Sequence, residues 1–356
     1  MRITEDFSEI TGRFDLSVSA KFFMGGFMKK LYAVLLSTGI AAGLFAAGQG
    51  DAGNAKNVTL RFGVDGNTAS VEYAVAQKFA ATLEQLSAGT VKAELFPNGQ
   101  LGNAKEMIQQ ITMNELDAYM EPMGGVSTLI PELAVLESGY VVRDLDHLDK
   151  IMASEWGERM QKKMRDEFNM RVISSTLFGA RQTSSNRPLN TIDDYKNLRI
   201  RIPNSRGIKD WAEAVGARPT SIAFSEVYLA LKTNSVDAQE NPLPTIESMK
   251  FYEAQSAIAI DNHIVQDKSI LFSQKRWESL SKQQQEWIMQ AGKAAKDESI
   301  KRINENSEKI IAFFKSRGLT ITYPDTAPMR KAMAPKYAAL EEELGVKGLI
   351  AKLAAL

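Results

Sequence analysis

The stretch from Gln283 to Ser316 constrains this chain most. It has no proline and, apart from Gly292, no glycine. Trp287, Ile288, Ala291, Ala294, Ile300, Ile303, Ile310, Phe313 and Phe314 recur there at helical spacing and mark one apolar stripe. At 1.5 Å per residue such a helix is roughly 50 Å long, more than the width of a small domain. The spacing therefore predicts a helix that crosses from one packed unit to another, with Gly318 as its stop.

The chain has 356 residues, enough for one large or two medium domains, and 44% hydrophobic and 24% charged residues, as in ordinary globular proteins. Val58 to Val64 and Val91 to Phe96 alternate as strands. Ser70 to Leu86 and Ala104 to Met113 read as helices, and Pro97-Asn98-Gly99 as a turn. Thr191 with Asp194 marks a further helix start, and Ser225 to Thr233 another helix. The strand–helix–strand–helix order predicts an α/β fold with a largely parallel sheet.

Lys+Arg and Asp+Glu both number 43, so the net charge is zero. No basic excess points to nucleic acid and no polybasic run to an anionic membrane. Capture of an anion must come from local placement. Leu198, Ile200 and Ile202 alternate with Arg199 and Arg201, which reads as a short strand with one buried face, ended by Pro203. Arg201 then sits at a strand end, where α/β folds open their ligand crevice. Its planar fork suits a carboxylate or sulfonate, and the same spacing also fits a solvated arginine, the reading taken for Arg199. Arg181 follows the turn at Gly179 and could close another strand, or lie on the surface. Asn241 precedes Pro242, which favours extended backbone; its amide offers a donor and an acceptor, or serves as a turn residue.

These segments resemble the substrate-binding proteins of tripartite ATP-independent periplasmic (TRAP) transporters. The resemblance is dense in Arg181-Gln-Thr-Ser-Ser-Asn186, Arg201-Ile-Pro-Asn204, Ala223-Phe-Ser-Glu-Val-Tyr-Leu-Ala-Leu231 and Val236-Asp-Ala-Gln-Glu-Asn-Pro-Leu243. It extends more loosely from Leu60 through Phe96-Pro-Asn-Gly-Gln-Leu-Gly102 to about Tyr323. It implies a two-lobe α/β binding protein with a ligand cleft between the lobes and a long helix spanning both. Residues 56–178 with 267–306 would form the first lobe, and 179–266 with 307–356 the second. By the same resemblance Arg201 pairs with the ligand's acidic group, Arg181 shares it, and Asn241 bonds the ligand or the arginine. Phe224 packs on the ligand and Asn204 is a polar cleft residue, while Asp65 and Glu121 face them from the first lobe. The sialic-acid binders of this family carry asparagine at the position of Asp65 and acidic residues at those of Ala104 and Pro122. The expected ligand is therefore a smaller acid, such as a C4-dicarboxylate, a hydroxy-, keto- or uronic acid, or a hydroxyalkyl sulfonate such as isethionate.

The expected partners are that anion and the small and large integral-membrane transporter subunits, with the binding protein itself a monomer that needs no cofactor. Met28-Lys29-Lys30 and the uncharged apolar run Leu31 to Ala47 read as a signal peptide over 28–55, cleaved near Ala55, for export to a Gram-negative periplasm, with an uncleaved anchor as the other reading of a run this long. Residues 1–27 are acidic where a signal would be basic, and read as a misassigned upstream start. With no cysteine, disulfides, thiolate metal sites and a lipid-anchoring cysteine are excluded. The two histidines, His147 and His263, have no ligand-spaced neighbours, and His263 reads as structural. Met120 and Met123 read as core. No phosphate loop or nucleophile elbow appears. An exported lyase or hydrolase acting on an organic acid, or a sensory binding protein for a receptor kinase, are the alternatives.

Overall fold

Val58, Leu60 and Phe62 alternate with Thr59 and Arg61, and Leu60 and Phe62 are fully buried in the first strand, β1 (Val58–Gly63). The computed structural model describes residues 57–356, and the side chains of all of these except Asn306 and Ser307. The upstream start and the signal peptide read from the sequence lie outside the described residues.

Ser70 caps the helix Val71–Leu86 by accepting from the backbone N–H of Tyr73. β2 (Val91–Phe96) follows, then the helix Ala104–Thr112 behind a capping box of Asn103 and Glu106. β3 (Ala118–Glu121), β4 (Met170–Ser174) and β10 (Ser269–Ser273) complete a five-stranded sheet in the order β2-β1-β3-β10-β4. A second, six-stranded sheet has the order β11-β9-β5-β8-β6-β7, from β5 (Leu177–Ser185), β6 (Arg199–Ile202), β7 (Arg218–Ser221), β8 (Ala238–Pro242), β9 (Ala257–Asp267) and β11 (Thr320–Thr322).

Neither sheet is parallel throughout. β1 is parallel to β2 and β3, and β6 to β7 and β8, as strand–helix order dictates. β10 is antiparallel to β3 and β4, and β5 to β8 and β9. The chain leaves the first sheet through β4 into β5 and returns through β9 into β10, so the strands that change sheets run in opposite directions. Where they cross, the backbone N–H of Lys268 donates to the carbonyl of Thr176 at 2.8 Å, and the Thr176 hydroxyl donates to the carbonyl of Lys268 at 2.6 Å.

Each sheet is covered on both faces. Met120, Ile270 and Phe272 pack with Phe79 and Ile288 on one face of the first sheet, while Tyr119 and Leu271 pack with Met107, Met123 and Met164 on the other. In the second sheet Ile200, Ile202 and Ala259 face Trp211, and Ile258 faces Phe251 and Phe314. The long helix runs Lys282–Ser316, 35 residues, behind a capping box of Ser281 and Gln284. Its Ile288, Ala291 and Ala295 join a core cluster of the first sheet, and its Ile310 and Phe314 one of the second. Gly292 lets it approach β4, since a Cβ there would stand 2.8 Å from Ile173 Cγ2. The segment 307–356 was expected with the second lobe. Met329 and Met333 do pack on the second sheet, but Leu340, Ile350 and Leu353 join the cluster that holds Leu136 and Leu148. His147 Nε2 meets the Leu353 carbonyl at 2.9 Å and helps fix that tail.

Candidate functional site

The carboxyl ends of β1, β3, β6 and β8 open on one cavity of about 570 Å³, the place where α/β sheets hold ligands. All seven residues expected at a site, Asp65, Glu121, Arg181, Arg201, Asn204, Phe224 and Asn241, line it.

Arg201 comes from β6, one residue before Ile202 and Pro203 end the strand. It is 2% exposed. Its Nε and Nη2 donate to a single acceptor, the carbonyl of Ile222, at 2.9 and 2.7 Å. Among the described residues no carboxylate pairs with it. Burial without a counter-charge pulls its pKa down to about 9, against the pull of Glu240 in the other direction. The ring of Phe224, half-buried, lies 6.0 Å from its guanidinium carbon. Asn204 is exposed at the rim.

Arg181 is arranged differently. It lies on β5 in register with Pro242, beside Asn241 on β8. Its Nε and Nη2 grip the Glu240 carboxylate, Nη2 also donates to the Glu240 carbonyl at 2.6 Å and to Asn241 Oδ1 at 3.3 Å, and Nη1 donates to Gln266. Burial alone would raise the pKa of Glu240, but Arg181 and His263 hold it below the ordinary value. His263 meets Glu240 through Nε2 at 3.1 Å and Asp261 through Nδ1 at 2.9 Å, and stacks on Trp211 at 3.7 Å. These contacts carry the structural role expected of His263. Asn241 donates to Gln239 Oε1 at 2.6 Å. Arg199, read as a solvated arginine, pairs with Asp237 at the surface.

The first-sheet wall centres on a residue the sequence reading passed over. Lys268, between β9 and β10, is 7% exposed, and its ammonium lies 3.2 Å from Asp65, 3.3 Å from Glu72 and 3.7 Å from Glu121. Burial would lower its pKa, but the three carboxylates hold it above the ordinary lysine value. The Tyr119 hydroxyl stands 2.6 Å from Asp65 Oδ2 and 2.8 Å from Glu121 Oε2. One hydroxyl proton cannot serve two ionised acceptors, so the arrangement favours a proton on one carboxyl. Burial, with Asp65 nearby, raises Glu121 to about 8 despite the opposing pull of Lys268. Burial also raises Glu72. The wall beside Ala104 and Pro122 is thus acidic even though those two positions are not. A signal for Lys268 was present in Asp267-Lys268, a charged pair between the apolar runs of β9 and β10.

A buried cation without a carboxylate partner, facing a ligand-sized cavity between two sheets, is a device for holding an anion. A sequence model of the bacterial extracellular solute-binding proteins, family 7 (DctP), matches residues 62–343. The chain belongs to this family. It is 38% identical over 329 residues to the sialic acid-binding periplasmic protein SiaP of Vibrio cholerae, across 92% of this chain and 99% of that one. It is similar, at a TM-score of 0.78 and 27% identity, to a TRAP periplasmic solute-binding protein of a Polaromonas species bound to D-erythronate, with 84% of this chain and 99% of that chain covered. A TRAP solute-binding protein of Sulfurospirillum deleyianum with bound succinate matches at a TM-score of 0.77 and 26% identity, over 84% of this chain and 99% of its own. As a family 7 protein the chain has the α/β binding-protein fold expected from its sequence and serves solute binding rather than catalysis.

Proposed function

We propose that this protein captures a small organic acid through an ion pair with Arg201 and delivers it, in the periplasm, to the small and large membrane subunits of a TRAP transporter. The observation that carries this reading is the burial of Arg201 at the cleft without a carboxylate partner. A ligand carboxylate supplies the missing counter-charge, and the excluded water strengthens the pair. Phe224 packs on the ligand beside the guanidinium, and Asn204 adds a polar contact at the rim. Arg181 has one Nη1 hydrogen left after Glu240, Gln266 and Asn241 are served, so it shares the acid group while holding Asn241 in place. Asp65 and Glu121 meet the remainder of the ligand.

Residues 56–178 with 267–306 act as one lobe and 179–266 as the other, with the tail 307–356 packed against both, hinged at the crossing strands and closing on the ligand. The mature chain is released by cleavage near Ala55 and works as a monomer. Thermal melting against a panel of organic acids tests this function, because a ligand bound only by the folded state raises the melting temperature. An acid that stabilises the wild type and not Arg201→Ala supports it. Equal stabilisation of both would refute the ion pair.

A further inference from the structure

The relatives with known ligands divide between polyhydroxylated monoacids and a dicarboxylate. Arg201 holds an acid group in either case, so the choice lies with the rest of the cavity. We propose that the first-sheet wall, Asp65, Glu72 and Glu121 around Lys268, reads hydroxyl groups and rejects a second acid group, so that the substrates are polyhydroxylated monocarboxylates. This rests on the Arg201 ion pair.

Lys268 is the single residue linking β9 to β10, and its backbone is bonded on both sides to Thr176. Its position is therefore fixed by the crossing of the two sheets. The ammonium donates to Asp65 at 3.2 Å and lies 3.3 Å from Glu72, and Glu121 at 3.7 Å adds a third negative partner at ion-pair distance. Lys268 is thus committed to its own wall and is not a receptor for a ligand's second carboxylate. Three acidic groups share one cation, so the wall carries more carboxyl groups than positive charge. Glu137, 3% exposed, lines the same cavity. A carboxylate brought against this wall meets like charge from largely buried side chains, whose repulsion is weakly screened.

A hydroxyl meets the opposite situation. Each carboxylate has about four lone-pair sites, more than Lys268 and Tyr119 occupy, and a hydroxyl donates into them without bringing charge. The cavity of about 570 Å³ leaves room beyond the acid group for a hydroxylated chain.

Calorimetric titration of the dialysed protein with matched acids tests the inference. Gluconate and glucarate, or galactonate and galactarate, share chain length and secondary hydroxyls and differ in the second acid group. Longer sugar monoacids, succinate and 6-aminohexanoate complete the panel. The tightest ligand should be a sugar monoacid, with hydroxylated monoacids binding about tenfold or more tighter than matched diacids. That ratio should fall toward one in the double variant Asp65→Asn, Glu121→Gln, through a gain for the diacid. Glu72→Gln should move it the same way if the double variant does not fold. A diacid, succinate or 6-aminohexanoate as the tightest ligand, a ratio untouched by these substitutions, or no binding by any monoacid overturns the proposal. Diacid binding that is lost in Arg201→Ala would sink this inference and leave the ion pair standing. Affinity unchanged in Arg201→Ala would sink the ion pair itself.

Discussion

Arg201 donates both Nε and Nη2 to one neutral acceptor, the carbonyl of Ile222, at 2.9 and 2.7 Å. That carbonyl orients the guanidinium without neutralising it, and leaves one Nη group for a ligand. Arg201→Ala should therefore weaken binding of the cognate acid by about 2–5 kcal/mol, roughly thirtyfold or more in Kd. Calorimetry checks this. Lysine at 201 should recover only part of the loss, because it keeps the charge and loses the planar fork.

The two cleft arginines should respond in opposite ways when stability is measured without ligand. Arg181 and Glu240 form a buried, bidentate pair. Arg181→Ala leaves Glu240 buried opposite His263 alone, and should cost about 3–5 kcal/mol in urea unfolding. Arg201→Met removes a buried cation that has no carboxylate partner, and should leave the unfolding midpoint unchanged or raised. A midpoint that falls as far for Arg201→Met as for Arg181→Ala would contradict the division of roles.

Much of this cleft was legible in the sequence because it is written locally. Period-two alternation fixed Ile200 and Ile202 as buried, and a proline at 203 placed Arg201 at a strand end. The long helix was readable from its stripe, and begins at Lys282, one residue before the stretch read from the sequence. The acidic wall was not readable in this way. Lys268 and Asp65 are 203 residues apart, and nothing in either neighbourhood names the other. The partnership of Arg181 with Glu240 depends on how β5 and β8 pair, which alternation within one strand does not specify. The antiparallel strands escaped for a similar reason, since a chain that leaves a sheet and returns carries no local mark of the crossing.

Stability of the ligand-free protein should fall as pH rises from about 5 to 8.5. Burial raises Glu121 from 4.5 to about 8 and Asp267 from 3.8 to about 6, and Glu72 and Glu137 are raised as well. A raised folded-state pKa means that the folded chain binds more protons than the unfolded chain within that window, so raising pH favours unfolding. His263 acts in the same sense: burial would lower it, but Asp261 and Glu240 raise it. Glu240, which is lowered, opposes the trend only toward and below the ordinary glutamate range. Melting temperatures across this range should decline, and Glu121→Gln, which mimics the protonated acid, should flatten the decline. A flat wild-type profile, or an equal slope in the variant, would count against a protonated Glu121.

The far side of the cleft is held by a contact that only glycine permits. Gly207 lies in the first turn of the helix Arg206–Ala214, whose cap Ser205 donates to Glu137 Oε2 at 2.5 Å. A Cβ at Gly207 would stand 2.5 Å from the Glu137 carbonyl carbon and oxygen and 2.7 Å from the Ser138 nitrogen. These are backbone atoms and cannot rotate away as a side chain could. Gly207→Ala must separate the helix from the segment Pro131–Glu137, loosening the Ser205–Glu137 bond and the packing of buried Trp211 on Gly139, where a Cβ would stand 2.9 Å from Trp211 Cδ1. The cost should be about 1–3 kcal/mol in urea unfolding, the range for overpacking a close contact. Because Glu137 and Ser205 also line the cavity, ligand affinity should fall with it. An alanine variant as stable as the wild type would show that the helix and this segment are free to move apart.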